Sequence, residues 1–377
     1  MQKPKIEKTV RVKRTPAKGL KARPSPLVVF LVGIAKTVKK IEKEHLFILL
    51  AGIVLFLVKG VFGFLSAENL AGHDLIGNYT FAWLMNQFMK NLSFFGWSKL
   101  WFAGFPAFIF YSPLFFIVVN LLHFLSFGAI SIMFSYKIVI LASLLVLPNI
   151  VFFSAKKMGF EKQERLFITL LSFAFLFLFG KNNMVSQTLN FGLVAQMFAM
   201  NFFILFLGYM FTKEYKKTGL FLGLTILSHI FAGAVAVVCL LMYTLLDREY
   251  YKNMKVFLIG LLLASPWLFL VLKYIGFVNT YFNPGKSLLE IPIIFFIFMS
   301  FSLVKFKEKR VKYLWVLFAF LAIISTLSIS TLGIYNIKIQ YDRLFPYMLF
   351  LVCVLSGQGL LIFSDLLHNN FNLKLDR

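Results

Sequence analysis

Long apolar segments recur along most of the chain, and short polar loops separate each one from the next. Because the hydrocarbon core of a bilayer is about 30 Å thick, a helix needs about 20 mostly apolar residues to cross it. Hydrophobic residues make up 60% of the sequence and charged residues only 14%, which excludes a soluble enzyme, a disordered chain and a disulfide scaffold. We therefore predict an all-α, polytopic helical membrane protein with about ten to eleven membrane segments. The apolar segments cover about residues 45–65, 107–126, 131–154, 166–181, 191–211, 218–246, 256–275, 289–304, 313–333 and 344–364.

The positive charge of the chain is concentrated in its N-terminal part and in a few loops. The net charge is +24, and residues 1–45 carry 13 Lys and Arg against three Glu. Loops 156–165 and 305–312 are also basic. Cytoplasmic loops carry such an excess, so we predict a multi-pass protein of the cell membrane with a cytoplasmic N-terminus. This placement favours membrane lipids as partners and argues against nucleic acid.

The same pattern divides the chain into three parts. Residues 1–44 are predicted to be a basic cytoplasmic arm, in which the apolar run 26–35 is too short to span and is assigned to an interfacial helix. Residues 45–364 are predicted to form the transmembrane domain. Residues 365–377 are predicted to be a short cytoplasmic tail.

Loop charges constrain the long segment 218–246. Basic loops at 212–217 and 247–255 flank it, and both should lie on the same side of the membrane. One tilted helix would separate them, whereas two short helices would not. The charges therefore favour two crossings, with a break at Ser228 and His229 near the outer face.

Loop charges also constrain segment 107–126, where they require one crossing fewer than the number of apolar segments. An odd number of crossings must separate residues 66–105, predicted to be outside, from the inner loop 156–165. Pro106 and Pro113 at the start of the segment are typical of a broken helix. We expect the segment to dip into the outer leaflet and return, or to be steeply tilted.

The predicted outer loop, residues 66–106, is unusually aromatic. Its rings suit a pair of helices that lie flat at the membrane interface, where amphipathic aromatic side chains settle. These side chains are Phe81, Trp83, Phe94, Phe95, Trp97, Trp101 and Phe102.

Short motifs in and after this loop carry a family resemblance. Gly72-His73-Asp74 precedes a short amphipathic helix, which is followed by Gly104-Phe105-Pro106 and Phe110-Tyr111-Ser112-Pro113-Leu114. This series resembles the first outer loop of the GT-C glycosyltransferase superfamily, and most closely that of the prokaryotic membrane proteins described as 6-pyruvoyl-tetrahydropterin synthase-related. Asn190-Phe191-Gly192 and Tyr341-Asp342-Arg343-Leu344-Phe345-Pro346 agree with the same layout.

The resemblance implies a glycosyltransferase in which Asp74 is catalytic. GT-C enzymes with lipid-linked donors use an Asp of the first outer loop as the base for the acceptor hydroxyl, and Asp74 occupies that motif position. The implied reaction moves a sugar from a polyprenyl-phosphate donor to an acceptor on the outer side. The residues alone also allow a purely structural role, in which Asp74 caps the following helix through the amides of Ile76 and Gly77.

Two cations are candidates for binding the donor phosphate. Arg343 begins a helix at the predicted outer face, with a local ion pair to Asp342 or interfacial anchoring as the alternative. Lys273 lies near a predicted outer helix end, where snorkelling to the interface is the alternative. Positive charge near a leaving phosphate is what the implied reaction requires.

Four uncharged or weakly basic residues complete the candidate substrate site. His73 could bind a sugar, and His229 is unusual within an apolar segment, although packing between helices also explains it. Gln187 and Asn190 cluster at a predicted outer loop, where helix capping also explains Asn190. A single His beside a single Asp is too little to assign metal ligands, so the cofactor is left unknown with a divalent cation still open.

Two other classes of function stay open. A non-catalytic membrane subunit, degenerate relative to the GT-C enzymes, would bind a protein partner instead of a lipid-linked sugar donor. A lipid or sugar transporter would need a midplane site with access from both sides. The scarcity of acidic residues in the apolar segments argues against coupling to ions.

Overall fold

The computed structural model describes residues 42–100, 104–178, 180–277, 288–327, 333–334, 337–338 and 340–371. The interfacial helix predicted at residues 26–35 lies outside these ranges. The chain divides into two compact units, Met1–Glu44 and His45–Arg377. The contacts of the second unit position the candidate site.

Helices dominate the described chain, and local capping defines several of their starts. The Ser131 hydroxyl accepts a hydrogen bond from the amide of Phe134 at 3.1 Å, and Glu161 and Glu164 form a capping box. The helices are α1 (Lys43–Val58), α2 (Gly63–Ser66), α3 (Leu75–Lys90), α4 (Leu114–Leu125), α5 (Ile132–Lys157), α6 (Lys162–Phe177), α7 (Met184–Leu189), α8 (Val194–Met210), α9 (Tyr215–Ser228), α10 (Ile230–Asp247), α11 (Tyr250–Lys273), α12 (Ile293–Phe301), α13 (Lys309–Leu327) and α14 (Phe345–Phe371).

Strands are few and short in the described ranges. They form two antiparallel pairs, β1 (Gly96–Ser98) with β2 (Phe105–Ala107) and β3 (Gly333–Ile334) with β4 (Ile337–Lys338). Pro106 lies opposite Trp97 in the first pair. The all-α class predicted from the sequence is therefore confirmed apart from these small hairpins.

Five of the described helices are long and apolar enough to cross a membrane. They are α5, α10, α11, α13 and the segment Tyr341–His368, which covers most of α14. Apolar helices of 10–17 residues include α4, α8 and the segment Ile293–Lys305. A membrane protein is the coarse conclusion that these lengths support, and the predicted total of ten to eleven segments is not confirmed.

The predicted break in segment 218–246 is confirmed. Helix α9 ends at Ser228, His229 is extended with φ −161° and ψ 120°, and α10 begins at Ile230. The two helices also contact each other. One continuous apolar run therefore forms two helices that meet at His229.

In residues 67–100 and 104–106, which the structure describes, the loop predicted to hold two flat helices has only one, and Trp101 and Phe102 lie outside the described residues. Helix α3 is followed by the β1–β2 hairpin, so the second predicted helix is wrong. Gly96 and Gly104 explain the difference, because a Cβ at Gly96 would lie 2.8 Å from the ring of Phe88 and Gly104 has φ +116°. Both positions favour a tight hairpin over a helix.

Helix α4 follows the hairpin and has only 12 residues. At 1.5 Å per residue it is about 18 Å long, which is too short to cross a bilayer. Pro113 occupies its N-cap position. This length agrees with the expectation that segment 107–126 does not complete a crossing.

Hydrogen bonds identify the two ends of the helical bundle. At one end, named the Asp74 end here, the hydroxyl of Tyr136 in α5 donates to the Leu75 carbonyl at 3.2 Å, and Trp267 in α11 donates to the Phe108 carbonyl at 3.0 Å. At the other end, named the Glu164 end, Lys157 is the last residue of α5 and forms an ion pair with Glu214, which lies between α8 and α9. Helix α5 therefore runs from the Asp74 end to the Glu164 end.

A buried carboxylate holds the Glu164 end together. Glu164 has no exposed surface, and its oxygens accept hydrogen bonds from Lys305 Nζ at 2.7 Å and Gln358 Nε2 at 3.2 Å. The Glu161 amide donates to it at 2.8 Å, and Arg310 Nη2 lies 3.7 Å away. One side chain thus joins α6, the turn after α12, the start of α13 and the middle of α14.

These contacts decide the ionisation of Glu164. Burial raises its pKa, but hydrogen bonds from Lys305 and the Glu161 amide, together with the Lys305 charge, hold the pKa below the ordinary 4.5. The carboxylate is therefore charged in the folded protein at neutral pH. A lowered pKa means that its stabilising effect is present above the ordinary pKa and is lost on acidification.

Glu164→Gln should lower the free energy of unfolding by about 3 kcal/mol, the lower part of the range for breaking a buried ion pair. The lower part applies because the Lys305 side chain remains 31% exposed. Unfolding of the purified protein in detergent measures the change, and the difference from the wild type should shrink as the pH falls below 4.5.

The matched control is Glu308→Gln. Glu308 pairs with the same Arg310, but its side chain is 38% exposed, so its loss should change stability by no more than about 1 kcal/mol. Equal losses for the two variants would contradict the central position of Glu164.

Candidate active site

Two glycine-containing loops dock directly on each other at the Asp74 end. The amide of His73 donates to the Asn190 carbonyl at 2.8 Å. Gly72 has φ +147°, and a Cβ there would lie 2.6 Å from the Leu189 carbonyl oxygen. Gly192 has φ +80°, and its Cβ would lie 2.7 Å from the Asp74 carbonyl carbon. No other residue type fits this contact without displacing backbone.

The contact places Asp74 at the N-cap position of α3 but leaves its carboxylate uncommitted. Its backbone has φ −110° and ψ 4°, and its side chain makes no capping hydrogen bond. The residue is exposed. The alternative in which Asp74 serves only as a helix cap therefore lacks the hydrogen bond on which it depends.

The side chain of Asn78 makes the hydrogen bonds that hold the start of α3 in place. Its Nδ2 donates to the carbonyls of Asp74 at 2.9 Å and Gly192 at 2.8 Å. Its Oδ1 accepts a hydrogen bond from the Tyr111 hydroxyl at 2.9 Å. This buried amide therefore fixes the Asp74 loop, the Gly192 loop and the segment before α4 relative to one another.

Arg343 lies in the turn before α14 and is held by two glutamines. Gln196 Nε2 donates to the Arg343 carbonyl at 3.0 Å, and Arg343 Nη1 donates to Gln196 Oε1 at 3.3 Å. Arg343 Nε donates to Gln340 Oε1. Both glutamines are neutral, so neither of them neutralises the guanidinium.

Electrostatics connect Arg343 with Asp74 through Tyr111. Burial raises the pKa of Tyr111 to about 12, the Arg343 charge lowers it, and the Asp74 charge raises it. Both charges are thus close enough to act on one hydroxyl group. At neutral pH this hydroxyl stays protonated and donates to Asn78.

His229 lies within the influence of the same arginine. Its Nδ1 accepts a hydrogen bond from the Ala232 amide at 3.4 Å, so the side chain caps α10. Burial, and then the Arg343 charge, lower its pKa to about 3. His229 is therefore neutral near pH 7, and its other ring nitrogen carries the proton.

The remaining predicted residues divide into neighbours of Asp74 and residues with other contacts. His73 is exposed and stacks on Phe191, with ring centroids 5.5 Å apart. Asn190 supplies the carbonyl that holds His73, while its Nδ2 donates to Ser186 Oγ at 3.0 Å. Both therefore lie beside Asp74.

Gln187 and Lys273 are placed differently. Gln187 is buried, and its Nε2 donates to the Lys181 carbonyl at 2.9 Å, which is a loop-supporting contact. Lys273 is exposed at the end of α11 with its ammonium 5.2 Å from the Tyr274 ring centroid. In the described ranges no hydrogen bond or ion pair connects Lys273 with Asp74 or Arg343.

Sequence reasoning gave no role to Asn78 or Tyr111. Tyr111 was visible as part of the Phe110–Leu114 motif, but the distance of 33 residues between Asn78 and Tyr111 gave no sign of their hydrogen bond. Among the residues that the structure describes, no group of three or more His, Cys, Asp or Glu has metal-binding geometry. Within the described ranges, the arrangement brings together an exposed carboxylate that makes no capping hydrogen bond, a guanidinium held by two glutamines and a neutral histidine.

Gly192→Ala should destabilise the protein by about 1–3 kcal/mol, because φ +80° is unfavourable for alanine and the new Cβ collides with Asp74. Hydrogen exchange of the His73 amide should also become faster. The matched control is Gly77→Ala, where a Cβ meets nothing within 4 Å, and a gain of about 0.4–1 kcal/mol is expected. Similar stabilities for both variants would show that the docking of the two loops is weak.

The resemblance to GT-C enzymes rests on short motifs alone, and comparisons of the whole chain add no support to it. No protein-family model, curated protein or solved structure matches this chain.

Proposed function

We propose that this protein is an integral-membrane glycosyltransferase of the GT-C type. It moves a sugar from a polyprenyl-phosphate donor to an acceptor on the outer side of the cell membrane, with Asp74 as the base. The observation that carries this proposal is the exposed Asp74 carboxylate, which makes no capping hydrogen bond although the two docked loops fix its backbone. A purely structural Asp at a helix start would use its carboxylate for the cap.

The reaction assigns a separate task to each charged group. Asp74 takes the proton from the acceptor hydroxyl, whose oxygen forms a bond to the anomeric carbon of the sugar. The bond between that carbon and the phosphate oxygen breaks, and the lipid phosphate leaves with the electron pair. Arg343 stabilises the negative charge that develops on the phosphate. A cation at this position contributes most when the leaving group carries the full charge.

The proposal places the Asp74 end outside and the Glu164 end in the cytoplasm. Basic residues such as Lys157, Lys305 and Arg310 lie at the Glu164 end, which is the distribution that cytoplasmic surfaces favour. The five membrane-length helices support a membrane protein, and the orientation rests on the basic residues. We retain ten to eleven membrane segments as part of the proposal, in which α4 enters the membrane without crossing it.

Asp74→Asn should reduce sugar transfer by about 10²–10⁴-fold, because an amide cannot accept the acceptor proton. The assay uses the full-length protein in liposomes with radiolabelled sugars on polyprenyl phosphate and follows the label into acceptor. Glu68→Gln is the matched control, since Glu68 is an exposed acid of the same loop and its amide variant should keep most of the activity.

Two results would contradict the proposal in different ways. If Asp74→Asn keeps most of the activity, Asp74 is not the base. If the wild type neither transfers nor binds any donor of the panel, the protein is not a transferase of this kind. Capture of a membrane-protein partner without donor binding would then favour the non-catalytic subunit.

Arg343→Gln should lower kcat/KM for the lipid-linked donor by about 10²–10³-fold, the usual effect of removing one group that stabilises transition-state charge. Steady-state kinetics in the same liposomes measure it. Lys90→Gln removes an exposed positive charge at the end of α3 and serves as the comparison. An equal loss for Lys90→Gln would attribute the effect to general surface charge.

A further inference from the structure

A cleft with both polar and apolar lining lies beside Asn190. Its volume is about 430 Å³. Asn190 belongs to both regions, because its carbonyl holds the His73 amide while its side chain lines the cleft. Its polar lining residues are Lys59, Lys181, Asn183, Ser186 and Asn190.

The lining carries positive charge and no acid. Lys59 and Lys181 are both exposed, and in the described ranges neither makes an ion pair or a hydrogen bond through its ammonium group. Many lysines at the Glu164 end are paired, as Lys157 is with Glu214 and Lys305 is with Glu164. Two unpaired ammonium groups that line one cleft repel each other, and a bound anion removes that repulsion.

The polar side chains of the cleft are arranged as hydrogen-bond donors. Asn183 uses its Oδ1 to accept from the Ser186 amide and its Nδ2 to donate to the Gly180 carbonyl at 2.7 Å. Asn190 Nδ2 donates to Ser186 Oγ at 3.0 Å. The Ser186 hydroxyl hydrogen and the second hydrogen of the Asn190 amide are then left for a ligand. A ligand with several acceptor oxygens and negative charge suits this set.

The cleft also lies beside an apolar surface. Lys59 follows the last residue of α1 directly, and this helix exposes Phe47, Leu57 and Val58 at 71%, 61% and 76%. An apolar helix surface of this kind faces lipid in a membrane protein, and a lysine just beyond it lies at the level of the headgroups. The apolar side chains of the cleft can contact the carbon atoms next to an anionic group.

We infer that this cleft binds a phosphate group, carried by a membrane lipid or free in solution. Lys59 and Lys181 neutralise its charge, and Ser186 and Asn190 donate hydrogen bonds to its oxygens. The cleft shares Asn190 with the candidate substrate site, but neither Asp74 nor Arg343 lines it. The inference therefore does not depend on that proposal.

Calorimetric titration of the full-length protein in an uncharged detergent tests the inference. Short-chain phosphatidylglycerol is one ligand, short-chain phosphatidylcholine a second and inorganic phosphate a third. The wild type should bind phosphatidylglycerol more tightly than phosphatidylcholine. Lys59→Gln/Lys181→Gln should bind phosphatidylglycerol roughly tenfold or more weakly, because each lysine near a charged headgroup contributes about one kcal/mol.

The matched control, Lys90→Gln/Lys99→Gln, removes two exposed lysines that do not line the cleft, and should bind like the wild type. Lys59→Arg/Lys181→Arg should also keep its affinity. If the affinity for inorganic phosphate falls as strongly in Lys59→Gln/Lys181→Gln as the affinity for the lipid does, the site binds a free phosphate group. If no ligand distinguishes Lys59→Gln/Lys181→Gln from the wild type, the inference is wrong. Thermal unfolding midpoints confirm that each variant is folded, and Lys59→Gln alone replaces the double variant if it is not.

Discussion

The contact between the Gly72 and Gly192 loops is the constraint on which the rest of the candidate site depends. Each loop has a positive φ at its glycine, and each glycine leaves room for the backbone of the other loop. Asn78 then closes the contact with hydrogen bonds to both loops and to Tyr111. The site is therefore held by backbone packing and one buried amide. The Asp74 carboxylate makes no capping hydrogen bond to the helix that it precedes.

The sequence predicted the features of the fold that follow from hydrophobicity and charge. Basic loops on both sides of one apolar run were enough to predict the break at His229, which the structure has. The second helix in the loop after α3 was wrong, because aromatic content indicates an interfacial position without specifying the backbone conformation. The glycines that turn this segment into a hairpin, Gly96 and Gly104, act through contacts with Phe88 and Trp97 that no local pattern contains.

The same distinction applies to the site. The motif at residues 72–74 indicated Asp74, and Asn190 and Gly192 were noted independently, but their direct contact joins loops more than 100 residues apart. The hydrogen bonds between Gln196 and Arg343 could not be predicted from the sequence either, because the two residues are 147 positions apart. Residue types that carry charge are visible in a sequence, whereas the neutral amides that position them are recognised only when partners are known. Lys273 shows the converse, since its charge made it a candidate although its described contact is with Tyr274.

Asn190 gives the two regions of the Asp74 end a common wall. Its side chain lines the cleft described above, and its carbonyl accepts a hydrogen bond from the loop that carries Asp74. Any ligand whose affinity depends on the position of this residue will be linked to binding beside Asp74, and thermodynamic reciprocity makes the coupling equal in both directions. A membrane lipid in the cleft would then act as an allosteric effector, and the composition of the bilayer would set the affinity of the neighbouring site.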